Sequence, residues 1–179
     1  SFGPLNLGLD VDTVRQRVNT ALEAVGMAHC ADKAVHNLSF GQKKRVCIAG
    51  VLAMEPQLLI LDEPMAGLDN PMREELLAVL GGLHERGITL LLATHDIDFA
   101  YRWTDRIHLI AAGACLASFA TPELPQHADV LTASGMPVPG IVELHRLLHQ
   151  QGHPAFAADQ AAPRSMGELI TLIKQGKDI

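Results

Sequence analysis

A short apolar segment that ends in two carboxylates constrains the fold of this chain more than any other feature. The segment Leu58-Leu59-Ile60-Leu61 has the length of a strand, and Asp62-Glu63-Pro64 follows it directly. A strand that is apolar at every position is typical of a parallel sheet with both faces covered. Carboxylates that follow such a strand emerge at the carboxyl edge of the sheet, where α/β proteins bind ligands. The segment therefore predicts an α/β fold with a polar site at this edge.

Helices and further strands are predicted on both sides of this segment. A capping residue opens each of three helices: Asp10 or Asp12 up to about Val25, Ser39 up to Pro56, and Asn70, with Pro71 as first helical residue, up to Gly87. Further strands are predicted at 88–93, 107–110 and 115–119, a short helix at 97–102, and two C-terminal helices at about 139–150 and 165–175. Residues 1–9 are expected to be an entry loop. This alternation favours a parallel sheet layered with helices.

Three other short segments accompany the Asp-Glu pair. Leu38-Ser39-Phe40-Gly41-Gln42 is a polar turn that opens a helix, and Ala66-Gly67-Leu68-Asp69 and Ala93-Thr94-His95-Asp96 lie downstream. Taken singly, each has an ordinary explanation as a turn or a helix cap. Their order, however, resembles that of the ATP-binding-cassette (ABC) ATPases: signature motif, Walker B, D-loop and H-loop. The resemblance implies a P-loop NTPase fold, yet no G-x-x-x-x-G-K-[ST] phosphate loop occurs in the 179 residues.

The carboxylates and the histidine receive catalytic roles from this resemblance. Neighbouring residues at a strand end point to opposite sides, so two carboxylates there can do different work. The resemblance implies that Asp62 holds Mg²⁺, through water, and that Glu63 is the catalytic carboxylate for water attack on ATP. It also implies that His95 contacts the γ-phosphate.

The signature turn and the D-loop receive roles between subunits. A hydroxyl, backbone N–H groups and the positive end of a helix dipole favour an anion at Ser39 and Gly41. The resemblance implies that Ser39, Gly41 and Gln42 bind the γ-phosphate of ATP held by the opposite subunit. Asp69 then lies in the loop that crosses the interface. The catalytic unit is expected to be a head-to-tail dimer that closes over two ATP molecules.

One branch of the family is closer than the others. Lys43-Lys44-Arg45-Val46 and the run from Ile48 to Met54 resemble the energy-coupling-factor importers, particularly their cobalt/nickel-type ATPases. In that branch Phe40, which replaces the usual glycine of the signature, and Met65 are subfamily marks. The resemblance implies uptake of a transition-metal ion, integral membrane partner subunits, and a peripheral location on the cytoplasmic face of the membrane.

The chain is accordingly divided into three predicted parts. Residues 1–56 are the remainder of a helical signature subdomain, and residues 57–120 are the C-terminal half of the ATPase core. Residues 121–179 change character, with repeated prolines, and are predicted to form a C-terminal helical appendage. The phosphate loop would lie before residue 1, so we expect the complete protein to be an enzyme and this chain alone to be inactive.

Composition excludes some functions. A net charge of -6 argues against a nucleic-acid partner. The three cysteines form neither a CxxC pair nor a disulfide framework, which favours a reducing compartment. His145 and His149 could share a helix face, but they lack an acidic or cysteine partner nearby, so a metal site there is disfavoured.

Two other functions remain open. The chain could belong to an ABC-type ATPase outside transport, which its acidic charge and the absence of coiled-coil insertions disfavour. It could also be a non-catalytic remnant that acts as an interaction module. An open reading frame encoding a phosphate loop directly upstream of residue 1 would distinguish a fragment from such a remnant.

Overall fold

The computed structural model describes residues 2–153 and 161–175 of the chain. The described residues up to Ala93 form one compact unit, and those from Thr94 onward form a second. Within these two stretches, no helix is both long and apolar enough to cross a membrane. The division into parts 1–56, 57–120 and 121–179 stays a prediction.

The first unit contains four helices and a two-stranded parallel sheet. The elements are α1 (Phe2–Asn6), α2 (Val11–Ala24), α3 (Phe40–Leu52), β1 (Leu58–Asp62), α4 (Asn70–Glu85) and β2 (Thr89–Ala93). The predicted entry loop at residues 1–9 is wrong in part, because Phe2–Asn6 is helical despite Gly3 and Pro4. Proline is tolerated in the first turn of a helix, where its missing N–H has no partner in any case.

Side-chain caps set the starts of the main helices of this unit. The Asp10 carboxylate accepts hydrogen bonds from the Thr13 N–H (2.9 Å) and the Asp12 N–H (3.1 Å), which confirms Asp10 as the cap of α2. The predicted cap of α4 is wrong by one residue. Asp69, not Asn70, is the cap, since its Oδ1 accepts from the Met72 N–H at 2.9 Å. Asn70 and Pro71 are then the first two helical residues.

The sheet of the first unit has one exposed apolar face. Strands β1 and β2 pair in parallel, with Ile60 opposite Leu91 and Asp62 opposite Ala93. Leu59 is buried, whereas Ile60 is 64% and Leu91 48% exposed. The expectation that both faces of this strand are covered is therefore wrong within the described residues. The apolar pattern was read correctly as a strand, but this unit covers only one of its faces.

The described residues of the second unit form a hairpin and four α-helices. The elements are α5 (Ile97–Trp103), β3 (Arg106–Ala111), β4 (Ala114–Ala120), α6 (Ala128–Ala133), α7 (Gly140–Gln150) and α8 (Met166–Gln175), with a 3₁₀ segment at Thr121–His127. Strands β3 and β4 are antiparallel, so the parallel arrangement predicted from the alternation applies to β1 and β2. The core draws on the hairpin, the 3₁₀ segment and helices α5, α6 and α7: Ile97, Tyr101, Ile107, Leu109, Phe119, Leu124, Leu131 and Val142.

Candidate functional site

The two carboxylates lie where β1 ends and a tight turn begins. Asp62 is the last residue of β1 and is exposed. The Glu63 N–H donates to the Ala93 carbonyl at 2.8 Å, which extends the pairing with β2 by one residue. Glu63 then takes a left-handed backbone conformation, with φ at 43°. For a residue with a side chain this costs roughly 1–2 kcal/mol, so other contacts must hold the turn.

Lys44 of helix α3 supplies those contacts. Its ammonium donates to the backbone carbonyls of Ala66 (2.7 Å), Pro64 (2.8 Å) and, at the long distance of 3.5 Å, Glu63. Burial lowers the pKa of Lys44, and the negative charge of Glu63 acts against this by raising it. Lys44 is thus partly buried against the turn. The turn that carries the candidate catalytic carboxylate is fastened to α3.

The predicted signature residues open helix α3. The Ser39 Oγ accepts from the Gln42 N–H at 3.3 Å, and the Gln42 Oε1 accepts from the Ser39 N–H at 2.9 Å. These reciprocal bonds form a capping box. Ser39 is exposed. N–H groups in the first turn of a helix lack intrahelical acceptors, so the N-terminus of α3 has the kind of donors that an anion needs. The cap itself is a structural role that Ser39 performs in any case.

Gly41 faces the neighbouring helix. The glycine is buried, and a Cβ atom at this position would lie 3.2 Å from the Met72 Sδ of α4. An ion pair between Arg45 and Glu75, at 3.0 Å, also joins α3 to α4. Glycine at position 41 thus favours close packing of α3 against α4, whether or not an anion binds at Ser39.

Phe40 connects the signature turn to the turn after β1. Its ring is 55% exposed, yet a Cβ atom on Gly67 would lie only 3.1 Å from the Phe40 Cε1. The Lys44 ammonium lies 5.4 Å from the centre of the same ring, within cation–π range. Gly67 has a φ of 73°, which a glycine adopts without strain. The aromatic residue in place of the usual glycine therefore has a definite packing role here.

The D-loop and H-loop residues lie in different units. Asp69 is exposed in the first unit, where its carboxylate caps α4. His95 belongs to the second unit and is exposed just before α5, which Asp96 caps by accepting from the Phe99 N–H at 3.0 Å. The first unit thus brings together Ser39, Gly41, Gln42, Asp62, Glu63 and Asp69, and His95 is described with its own unit.

The Asp62 carboxylate suits a magnesium ion whose other ligands are waters and nucleotide phosphates. Residues 2–153 and 161–175 contain no cluster of three or more histidine, cysteine or acidic side chains that could hold a metal. Asp62 offers a single exposed carboxylate. Mg²⁺ is commonly bound through one or two carboxylates together with waters and substrate phosphates. Asp62 therefore fits Mg²⁺ that arrives with a nucleotide, and it does not fit a metal site built by the protein alone.

Sequence reasoning missed Lys44, although a signal was present. Lys44 follows Phe40 by four residues on a helix, so the two side chains share one face. Ser39 fixes where that helix begins, and the face then points in a definite direction. This spacing predicts that the Lys44 side chain lies near the Phe40 ring, whereas the contact of its ammonium with the turn depends on how α3 packs.

Comparisons with known proteins agree with the order of the motifs. The family described as "ABC transporter" matches residues 6–66. The cobalt import ATP-binding protein CbiO of Rhodobacter capsulatus is 41% identical over 94% of this chain and 60% of its own length. The energy-coupling factor transporter ATP-binding protein EcfA of Methanocaldococcus jannaschii is 38% identical over 84% of this chain and 54% of its own length.

A solved structure is similar in both sequence and fold. CbiO1 of Clostridium perfringens, described as part of the ABC transporter complex CbiONQ, aligns with a TM-score of 0.65 and 41% identity. The match covers 81% of this chain and 58% of that one. The chain thus spans at most about three fifths of each of these three relatives.

Proposed function

Because this chain belongs to the ABC transporter ATP-binding proteins, we propose that it is part of a subunit that hydrolyses ATP to drive import of a transition-metal ion such as cobalt. The observation that carries the proposal is the pair of carboxylates at the end of β1, on a turn held by the helix that the signature residues open. The ion is suggested by relatives whose names specify cobalt import.

The roles of the side chains follow from their positions and chemistry. ATP supplies the phosphoryl group, and Mg²⁺ neutralises charge on the phosphates. Asp62 would hold the Mg²⁺ ion, through water. Glu63 orients a water molecule and takes up its proton, as a carboxylate within hydrogen-bonding reach can do. His95 contacts the γ-phosphate, and Ser39, Gly41 and Gln42 with the start of α3 receive the phosphate of a second nucleotide.

The second nucleotide implies a second subunit. In the proposed assembly two ATPase subunits lie head to tail, so that the signature turn of each faces the nucleotide of the other. Asp69, exposed at the start of α4, lies at the interface between them. Integral membrane subunits dock on this pair at the cytoplasmic face and carry the ion. CbiO1, described as part of a transporter complex, supports this arrangement.

An uptake measurement tests the proposal. Cells that lack their own cobalt importer receive the complete transporter with either the natural subunit or the Glu63→Gln variant. We expect radioactive cobalt uptake to fall to background with Glu63→Gln. Glu85→Gln makes the same chemical change at an exposed position at the end of α4 and should leave uptake unchanged. Uptake by the Glu63→Gln transporter at the natural level would contradict the proposal.

A further inference from the structure

We propose that Lys44 is a positioning residue that holds the turn bearing Glu63 and joins it to the signature helix of the same subunit. The inference rests on the proposed function, because it assigns Lys44 a role in the reaction that Glu63 performs. The proposed role requires no contact of Lys44 with nucleotide or metal. The role depends on contacts between α3 and the segment from Glu63 to Ala66.

The chemistry of the ammonium group matches the turn. An ammonium has three N–H donors and no acceptor. The turn offers three carbonyls in one direction, those of Glu63, Pro64 and Ala66, at 3.5, 2.8 and 2.7 Å from the Lys44 Nζ. One cation therefore gathers the successive peptide groups on which the Glu63 side chain depends for its direction.

The strained backbone at Glu63 depends on contacts around the turn. Glu63 has a φ of 43°, which a residue with a side chain adopts only when its surroundings enforce it. Within the turn, the Ala66 N–H donates to the Glu63 carbonyl at 3.1 Å, and the Glu63 N–H joins the turn to β2 through the Ala93 carbonyl. The hydrogen bonds of Lys44 add a connection to helix α3. Loss of these bonds removes part of the support that keeps Glu63 in its left-handed conformation.

Lys44 also connects the turn at Ser39 with the turn that bears Glu63. Lys44 lies five residues after Ser39 on α3, and its ammonium lies beside the Phe40 ring, which packs near Gly67 of the same turn. In the proposed dimer, Ser39 meets the nucleotide of the opposite subunit, whereas Glu63 acts on the nucleotide of its own. Movement of α3 on the first nucleotide is therefore transmitted by Lys44 to the carboxylate that serves the second.

The test uses the complete ATPase, in which a phosphate loop precedes this chain. The variants are Lys44→Met, which keeps the apolar stem and removes the donors, Lys44→Arg, which keeps the charge, and Lys33→Met, the same change at an exposed lysine of the same unit. Steady-state hydrolysis gives kcat and KM for ATP. Thermal unfolding of each variant gives the folded fraction at the assay temperature.

We expect Lys44→Met to lower kcat about tenfold or more. A displacement of about 1 Å of a catalytic group such as the Glu63 carboxylate has an effect of at least this size. KM should stay within about twofold, since the proposed role of Lys44 involves no contact with nucleotide. Lys44→Arg should be intermediate, because its planar fork cannot serve three carbonyls as an ammonium does. Lys33→Met should behave like the natural protein.

Several results would overturn the inference. One is a kcat of Lys44→Met equal to that of the natural enzyme. Another is a rise in KM by the same factor as the fall in kcat. A third is a fall in kcat that the loss of folded protein explains in full. If Lys44→Met does not fold, Lys44→Arg decides, and a natural kcat in that variant refutes the three-carbonyl geometry. Glu63→Gln separates the two proposals: activity retained there refutes the proposed function, whereas activity lost there but kept in Lys44→Met refutes this inference alone.

Discussion

Ser39 and Asp69 each combine a structural role with a proposed functional one. Both cap a helix through a side-chain oxygen, Ser39 at α3 and Asp69 at α4, and both are exposed. A cap alone explains why these residue types stand at these positions. Evidence for nucleotide contact must therefore come from an effect on turnover that exceeds the effect on folding.

The Ser39→Ala variant tests whether the effect of Ser39 on turnover exceeds its effect on folding. Loss of the cap should lower the free energy of unfolding by about 1 kcal/mol. Asp10→Ala is the matched control, because Asp10 caps α2 in the same unit and has no role in the site. We expect both variants to lose similar stability in thermal unfolding and only Ser39→Ala to lose ATP turnover in the complete enzyme. Equal turnover in the two variants would leave Ser39 with the cap alone.

A substitution at Gly41 is a weaker test than the sequence suggests. A negative side chain there, as in Gly41→Asp, repels a triphosphate that binds at the start of α3. The structure adds a second effect, because a Cβ at this buried position meets the Met72 Sδ at 3.2 Å. A loss of activity in that variant would mix repulsion with disturbed packing of α3 on α4. Ser39, which is exposed, avoids this ambiguity.

At the scale of the elements, sequence patterns predicted positions better than boundaries or surroundings. The strand and helix order followed from apolar runs, capping residues and prolines, and α7 and α8 lie close to the predicted 139–150 and 165–175. The cap of α4 was displaced by one residue because Asp69 and Asn70 are both good caps, and only the geometry of Asp69 Oδ1 distinguishes them. The predicted helical appendage at residues 121–179 specified two helices, and the 3₁₀ segment Thr121–His127 and α6 were not among them.

Helix α7 carries a pH-dependent contribution to stability. Burial lowers the pKa of His145, and the nearby His149 lowers it further. His145 therefore gains its proton at a lower pH in the folded protein than in the unfolded chain, where the ordinary histidine pKa of about 6.5 applies. Stability should fall as the pH drops below this value and level off once it passes the lower, folded pKa.

Thermal unfolding between pH 7.5 and pH 5 checks this expectation. The variant His145→Leu should lose less stability on acidification than the natural chain, because a buried group that must gain a proton has been removed. His36→Gln, at an exposed position of the first unit, should follow the natural chain. An unchanged pH dependence in His145→Leu would show that His145 is not the group responsible.

At the scale of the whole molecule, the described residues of the first unit form a parallel sheet of two strands with one exposed apolar face. The apolar pattern of β1 predicted burial on both faces, yet Leu58, Ile60 and Leu91 are exposed on one face. Periodicity reports the environment for which a strand is suited, and it does not say which segment provides that environment. The relatives are longer than this chain, which spans 60% of the Rhodobacter capsulatus protein and 54% of the Methanocaldococcus jannaschii protein.

The positions of the two carboxylates could be predicted from the sequence, whereas the contacts of Lys44 with the turn could not. Asp62 and Glu63 follow a strand in the sequence, so their place at its end could be inferred. The hydrogen bonds from Lys44 to the turn join a helix to a loop that lies about twenty residues later in the sequence. Contacts of that kind depend on how α3 packs, which single-sequence periodicity does not encode.

ATP hydrolysis with and without the Glu63 carboxylate tests the central claim most directly. Phosphate release and retained ATP are measured for three proteins: the complete enzyme, its Glu63→Gln variant, and the 179-residue chain alone. The account predicts turnover by the complete enzyme, ATP binding without turnover by the variant, and negligible turnover by the chain, which contains no phosphate loop. Natural turnover by the Glu63→Gln enzyme would contradict the account, because another group would then activate the water.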